Sequence, residues 1–150
     1  MQEFKKHIIN ACKSHLENKI HSLNTITKEV SESSNSESKS SAGDKHETSK
    51  AMMQLEIEKL GTQLKEAELQ LAEFEKINFN KMFQTIEQGS LVETNKGYFL
   101  IGSSIGKITV DDKIVFVISS KSPLAIAFIG KKQKDVLNFN GTEYVILSVN

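Results

Sequence analysis

The chain contains no arginine and no tryptophan, and it has a single proline and a single cysteine in 150 residues. Without arginine, every contact to a phosphate or carboxylate falls to lysine, which acts as a point charge and not as a planar fork, so extensive base or phosphate reading is disfavoured. Lysines and acids balance at 19 each. No global field therefore draws the chain to nucleic acid or to an acidic membrane, and the expected partner is a protein. The lone Cys12 leaves no internal disulfide to form, which fits a reducing cytoplasm. No apolar run approaches the ~20 residues of a membrane span, and the N-terminus is an amphipathic helix without a signal-peptide core. The expectation is a soluble, cytoplasmic protein.

What is present begins with two seams. Ile9, Cys12, Leu16, Lys19, Leu23, Ile26 and Val30 fall at alternating three- and four-residue steps, with Lys19 the one polar intrusion. Met53, Ile57, Leu60, Leu64, Ala67, Leu71 and Phe74 keep the same alternation unbroken. These are coiled-coil seams, and Met52 is expected beside Met53 in the second. Between them, Ser31 to Ser41 is almost wholly Ser, Glu, Asn and Lys, a composition that buries little, so a turn is expected there. Folding back antiparallel lets each seam cover the other, and about 30 residues at about 1.5 Å rise make an arm of about 45 Å. Residues 1–78 are read as this hairpin, with its tip around 31–47.

After Asn78 the period shortens. Ser90 to Thr94, Tyr98 to Ile101, Ile108 to Val110, Ile114 to Ser119, Asp135 to Phe139 and Thr142 to Val149 read as strands separated by turn residues. Ser122-Pro123 is a helix start, proline being suited to the first helical position, and the helix should stop at Gly130. Asn140-Gly141 suits a type I′ hairpin. Residues 79–150 form a second domain, a small sheet around one short helix, and the fold class is α+β.

The tip carries Gly43-Asp44-Lys45-His46-Glu47, two carboxylates three residues apart. The second domain carries Ser122-Pro123-Leu124 and Gly130-Lys131-Lys132, followed by Asp135 and a final Tyr144 to Val149. Together these resemble the bacterial Gre transcription elongation factors, which join an antiparallel coiled coil with a Gly-Asp-x-x-Glu tip to an FKBP-like antiparallel sheet. The resemblance covers nearly the whole chain.

That resemblance implies a monomeric partner of RNA polymerase that docks its globular domain through Ser122, Pro123 and Leu124 and inserts the hairpin into the secondary channel. There Asp44 and Glu47 would help hold the polymerase's catalytic Mg²⁺ and orient a water near the RNA 3′ end, so that the polymerase cleaves backtracked RNA. The chain would be no enzyme itself and would have no cofactor of its own. It departs from the family at Thr48, Lys50 and Ala51, where Asn, a further acid and an aromatic are usual, and at Lys45 and His46 between the acids. Lys121 replaces a common acid and Lys134 a usual Gly.

Other readings of the same residues stand beside this one. Asp44 with Glu47 also makes a capping box at the start of the second helix. His7, His15 and His21 form no ligand cluster and read as solvated surface residues. A channel-binding regulator without cleavage activity has the same architecture. An FKBP-like isomerase or chaperone ranks low, because the pocket aromatics it needs are scarce.

Overall fold

The computed structural model describes residues 1–37 and 43–150, and the side chains of all of these except 34–37 and 43–46. In chain order the elements are α1 (Gln2–Glu37), α2 (Gly43–Glu75), β1 (Leu91–Thr94), β2 (Gly97–Ile101), β3 (Gly106–Val110), β4 (Lys113–Ile118), α3 (Pro123–Phe128), β5 (Val136–Phe139) and β6 (Thr142–Val149). The fold class is α+β: a helical hairpin followed by a small sheet with one short helix. By packing, the chain divides into Ser14–Ala72 on the one hand and Met1–Lys13 with Glu73–Asn150 on the other. The boundary read at 78/79 follows sequence pattern; packing gathers the first residues with the sheet, where Phe4, Lys5 and Ile8 are buried.

In the helical unit, α2 turns inward the seam positions expected of it, with Leu60 and Ala67 buried and Met53, Ile57, Leu64 and Leu71 half-buried. Leu23 of α1 joins Leu60 and Ala67 in one cluster, against which Ile20, Val30 and Leu64 pack. Glu29, Val30 and Ser33 share a groove with Met52, Met53 and Glu56, so late α1 meets early α2 and the helices run antiparallel.

The α1 seam turns inward as expected at Ile9, Cys12, Leu16, Leu23 and Val30, and sits one residue from its expected place at two positions. Lys19 is exposed and Ile26 is 43% exposed, whereas Ile20 and Thr27 turn inward. Thr27 can do so because its hydroxyl donates to the Leu23 carbonyl at 2.7 Å, leaving the methyl to pack. Met52 is also outside the seam, at 66% exposure. Ser31 to Glu37, expected in the turn, are helical, since α1 continues to Glu37. Once a helix is nucleated its hydrogen bonds are local, and each added Ser, Glu or Asn costs only a few tenths of a kcal/mol, about 0.5 relative to alanine. Residues 38–42 of the expected tip lie outside the described residues.

The sheet has the order β3-β4-β2-β1-β6-β5. It departs from the expected all-antiparallel arrangement in one pair, β2 with β4, which run parallel with Phe99 opposite Phe116. The most apolar run takes the interior place: β4 carries Val115 and Val117 fully buried, whereas β3, with exposed Lys107, lies at the edge. On one face Val92, Phe99, Ile101 and Ile146 pack with Ala125 and Phe128 of α3. Phe99 stacks on half-buried Phe116 at 5.3 Å and meets Phe128 and Tyr144 edge-on. Burying each such ring contributes about 2–3 kcal/mol. The first turns of α1 lie on the opposite face, where Phe4 meets Tyr98 edge-on with centroids 5.0 Å apart.

Two of the three hairpin turns use left-handed backbone at both central residues. Asn140 and Gly141 have φ of 49° and 78°, as the type I′ reading requires, and Asp111 and Asp112 have 50° and 61°. Gly89 has φ 96°, and a Cβ there would lie 2.7 Å from the Asn78 carbonyl oxygen. Only glycine fits it.

Candidate functional site

The local sequence Ser119-Ser120-Lys121-Ser122-Pro123 builds α3 from its N-terminus. Ser122 has extended backbone (φ −69°, ψ 150°), and its hydroxyl accepts from the Ala125 N–H at 3.3 Å while donating to the Ser119 carbonyl at 2.7 Å. Pro123 follows where a missing N–H costs nothing. The helix ends at Phe128, and Gly130 beyond it takes φ 87°. Main-chain bonds from Gly130 to the Ile86 carbonyl (2.9 Å) and from Ile86 to the Lys131 carbonyl (2.7 Å) tie this end down.

This architecture sorts the three residues expected to dock. Ser122 is engaged as the cap, Leu124 packs against the core, and Pro123 is exposed. The exposed apolar surface here comes instead from Ile126 of α3 and from Ile129, the cap residue that follows it, 63% and 42% exposed. They stand three residues apart, one helical turn, so they share a face. Lys121 and Lys132 are exposed in the flanking chain. Sequence reasoning missed the two isoleucines because an i, i+3 apolar pair in a short helix reads as core; only the burial of Ala125 and Phe128 shows which side faces inward.

The second candidate is the acidic pair. Since α2 begins at Gly43, Asp44 and Glu47 fall in its first turns, three residues apart on one helix. Glu47 is exposed, as is Lys50 one turn on. The side chains of Asp44, Lys45 and His46 lie outside the described residues, and with them the capping geometry. Among the described residues no group of three or more His, Cys, Asp or Glu side chains could hold a metal. Mg²⁺ prefers six oxygen ligands and is commonly held by one or two carboxylates with waters and phosphates. A carboxylate pair fits as part of a shared site and not as a site of its own.

Two further ionisable groups have shifted pKa values. His7, read as solvated, pairs through Nδ1 with Asp111 Oδ2 at 2.7 Å, and this hydrogen bond, followed by the charge of Asp111, raises its pKa. Cys12 is buried as expected, and burial pushes its thiol up to about 12, which leaves it unreactive. Among the described residues, no helix is long and apolar enough to cross a membrane.

Comparison with known proteins adds little to this picture. No protein-family model and no curated protein matches the chain. Among solved structures, it is similar to one described as the transcription factor Gfh1, at 16% identity and a TM-score of 0.39, over 91% of this chain and 92% of that one.

Proposed function

We propose that this chain is a Gre-type factor that binds RNA polymerase, placing its helical hairpin in the secondary channel and stimulating the polymerase's own cleavage of backtracked RNA. The observation that carries the reading is the position of the motif. Gly43, Asp44 and Glu47 open α2 beside the junction of two antiparallel helices, and an independent Ser-Pro motif opens α3 in the sheet unit. Each of these short motifs is weak by itself. Their occurrence in this order, on these elements, is more specific.

In this reading α3 supplies the docking surface. Ile126 and Ile129 present apolar area, and Lys121 and Lys132 flank it with positive charge, a pattern suited to a partner's acidic-rimmed apolar groove. Ser122 acts by holding the helix in place, and Pro123 by exposing its ring. At the hairpin end, Asp44 and Glu47 supply carboxylate oxygens to a magnesium site built mainly by the polymerase. When bound there, Mg²⁺ would stabilise developing negative charge on the reacting oxygens.

A second reading is favoured by Lys45, His46 and Lys50. Cationic groups beside two carboxylates lower their affinity for a divalent ion, so the chain would bind the channel and modulate transcription without supporting cleavage. One experiment distinguishes them. A backtracked elongation complex is assembled with the cognate polymerase and 3′-labelled RNA, and Mg²⁺-dependent shortening is followed with and without the protein. Faster shortening supports the cleavage factor. Binding without faster shortening supports the regulator, and absence of binding overturns both.

A further inference from the structure

On the sheet face that crosses β2, β4 and β3 there is a shelf of about 470 Å³ that the Gre reading does not use. Its floor follows from register. Lys107 pairs with Phe116 and Thr109 with Ile114, so Lys107, Ile114 and Phe116 project to one face, and Phe99 pairs with Phe116 on the other side of β4. Gly97, at the start of β2, has no side chain to cover Phe116; a Cβ there would come within 3.9 Å of its ring. Phe116 is consequently only half-buried although it stacks on Phe99, and Ile114 is 46% exposed.

The rim is cationic. Lys96 and Lys107 are both exposed and, among the described residues, neither has a carboxylate partner. Lys113 is engaged elsewhere, with its ammonium 4.8 Å above the Phe4 ring, and Asp112 is the one acid on the lining. β3 is the terminal strand, so its outer main-chain edge faces away from the sheet.

We propose that this shelf binds an acidic segment of a partner protein, in extended form, with an apolar side chain seated on Ile114 and Phe116 and carboxylates directed to Lys96 and Lys107. Lysine on an edge strand also guards against sheet-to-sheet pairing. The guard is selective: a lysine rim repels another basic edge and admits an acidic one. A strand added outside β3 would stand two strand spacings, about 10 Å, from Ile114 and Phe116, so the segment lies across the sheet face and not along its edge. A peptide is favoured over single-stranded RNA because the two free lysines make no track for successive phosphates and the chain has no arginine. The inference is independent of polymerase binding.

The test is a titration of the ¹⁵N-labelled full chain with the peptide acetyl-Glu-Asp-Phe-Glu-Asp-amide, followed by amide chemical shifts at low and moderate salt. Shifts are expected at residues 106–110, 114 and 116, weakening as salt rises. The exposed double variant Lys96→Glu/Lys107→Glu should bind about tenfold or more weakly, because attraction becomes repulsion, with its spectrum otherwise folded. A peptide with Lys in place of its acids should leave the shelf unshifted. Equal binding by the variant, no shifts at millimolar peptide, or a preference of the same amides for a ten-nucleotide oligouridylate would each overturn the proposal.

Discussion

Lys5 donates from its ammonium to the Phe79 carbonyl oxygen at 2.8 Å inside the sheet unit, although the residue is 3% exposed and, among the described residues, no Asp or Glu side chain pairs with it. A second bond runs to the main-chain oxygen of Asn150 at 3.0 Å, and the Phe83 ring lies 4.3 Å below the charge. The Phe79 carbonyl, the main-chain oxygen of Asn150 and a ring face thus surround the ammonium, the two oxygens lying 74 and 145 residues away in sequence.

Burial pulls the Lys5 pKa down from 10.5 to about 8. Between those values the unfolded chain binds more protons than the folded one, so this group makes stability rise with pH through the window, and below about 8 the folded state carries the full cost of burying the charge. Lys5→Met removes that cost and leaves the Phe79 carbonyl without this donor, a loss of about 1–3 kcal/mol, so the two effects oppose near neutrality. Urea unfolding should show the parent gaining on the variant as pH climbs from about 8 toward 10.5. A constant difference across that window would mean the ammonium is not depressed.

The His7–Asp111 pair works in the other direction. The hydrogen bond and then the charge of Asp111 raise the histidine's pKa above its ordinary 6.5. Its contribution to stability is full below that ordinary value and is lost as pH rises through the raised one. Asp111→Asn keeps a residue that tolerates the φ of 50° while removing the charge. Titration of the His7 ring by NMR should then give a midpoint shifted back toward 6.5, and an unmoved midpoint would refute the coupling.

Lys134 has φ 78°, in the left-handed region, at the position where the resemblance places glycine. A non-glycine residue there costs about 1–2 kcal/mol, part of which glycine gives back through a more flexible unfolded chain. Lys134→Gly should therefore stabilise by about 0.5–1 kcal/mol in chemical denaturation. Gly89→Ala should do the opposite and more strongly, since its Cβ would also meet the Asn78 carbonyl oxygen at 2.7 Å. If both substitutions prove neutral, the backbone assignments at these turns are incorrect.

Legibility in the sequence followed the range of the interactions. The strands and the α3 cap were readable because turn pairs such as Asn140-Gly141 and the Ser122-Pro123 start act within a few residues. The α2 seam was readable because its apolar residues coincide with the heptad. On α1 the template favoured Ile26 over Thr27, and hydropathy cannot register that Thr27 satisfies its own hydroxyl on Leu23. The parallel β2–β4 pair, the Lys5 cradle and the His7–Asp111 bond join residues far apart in sequence, and no local pattern encodes them. The acids at 44 and 47 were visible only as a motif, and the outward isoleucines of α3 only through packing.

The corrected seam has its own consequence. Ile26→Gln should change stability by less than about 0.5 kcal/mol, because the side chain already faces solvent. Leu60→Asp places an unpaired carboxylate in the cluster with Leu23 and Ala67, and should cost several kcal/mol, about 3 or more. Helix content by circular dichroism during thermal melting separates the two. A large loss from Ile26→Gln would restore the original register.

Docking and chemistry can be separated with two double variants, provided the parent protein stimulates cleavage. Asp44→Asn/Glu47→Gln retains side-chain size and much of the capping capacity while removing the charge that attracts Mg²⁺, so polymerase affinity should persist and RNA cleavage should be lost. Ile126→Ser/Ile129→Ser removes exposed apolar area without opening the core, because Ala125 and Phe128 carry the inward face. Its affinity should fall about tenfold or more, and high protein concentration should restore cleavage, since hot-spot contacts act through occupancy. If the acidic pair only caps α2, its double variant would lose about 1 kcal/mol of stability or less and cleave as the parent does. If the isoleucine variant binds normally, the docking surface lies elsewhere on the chain, whatever the acids do.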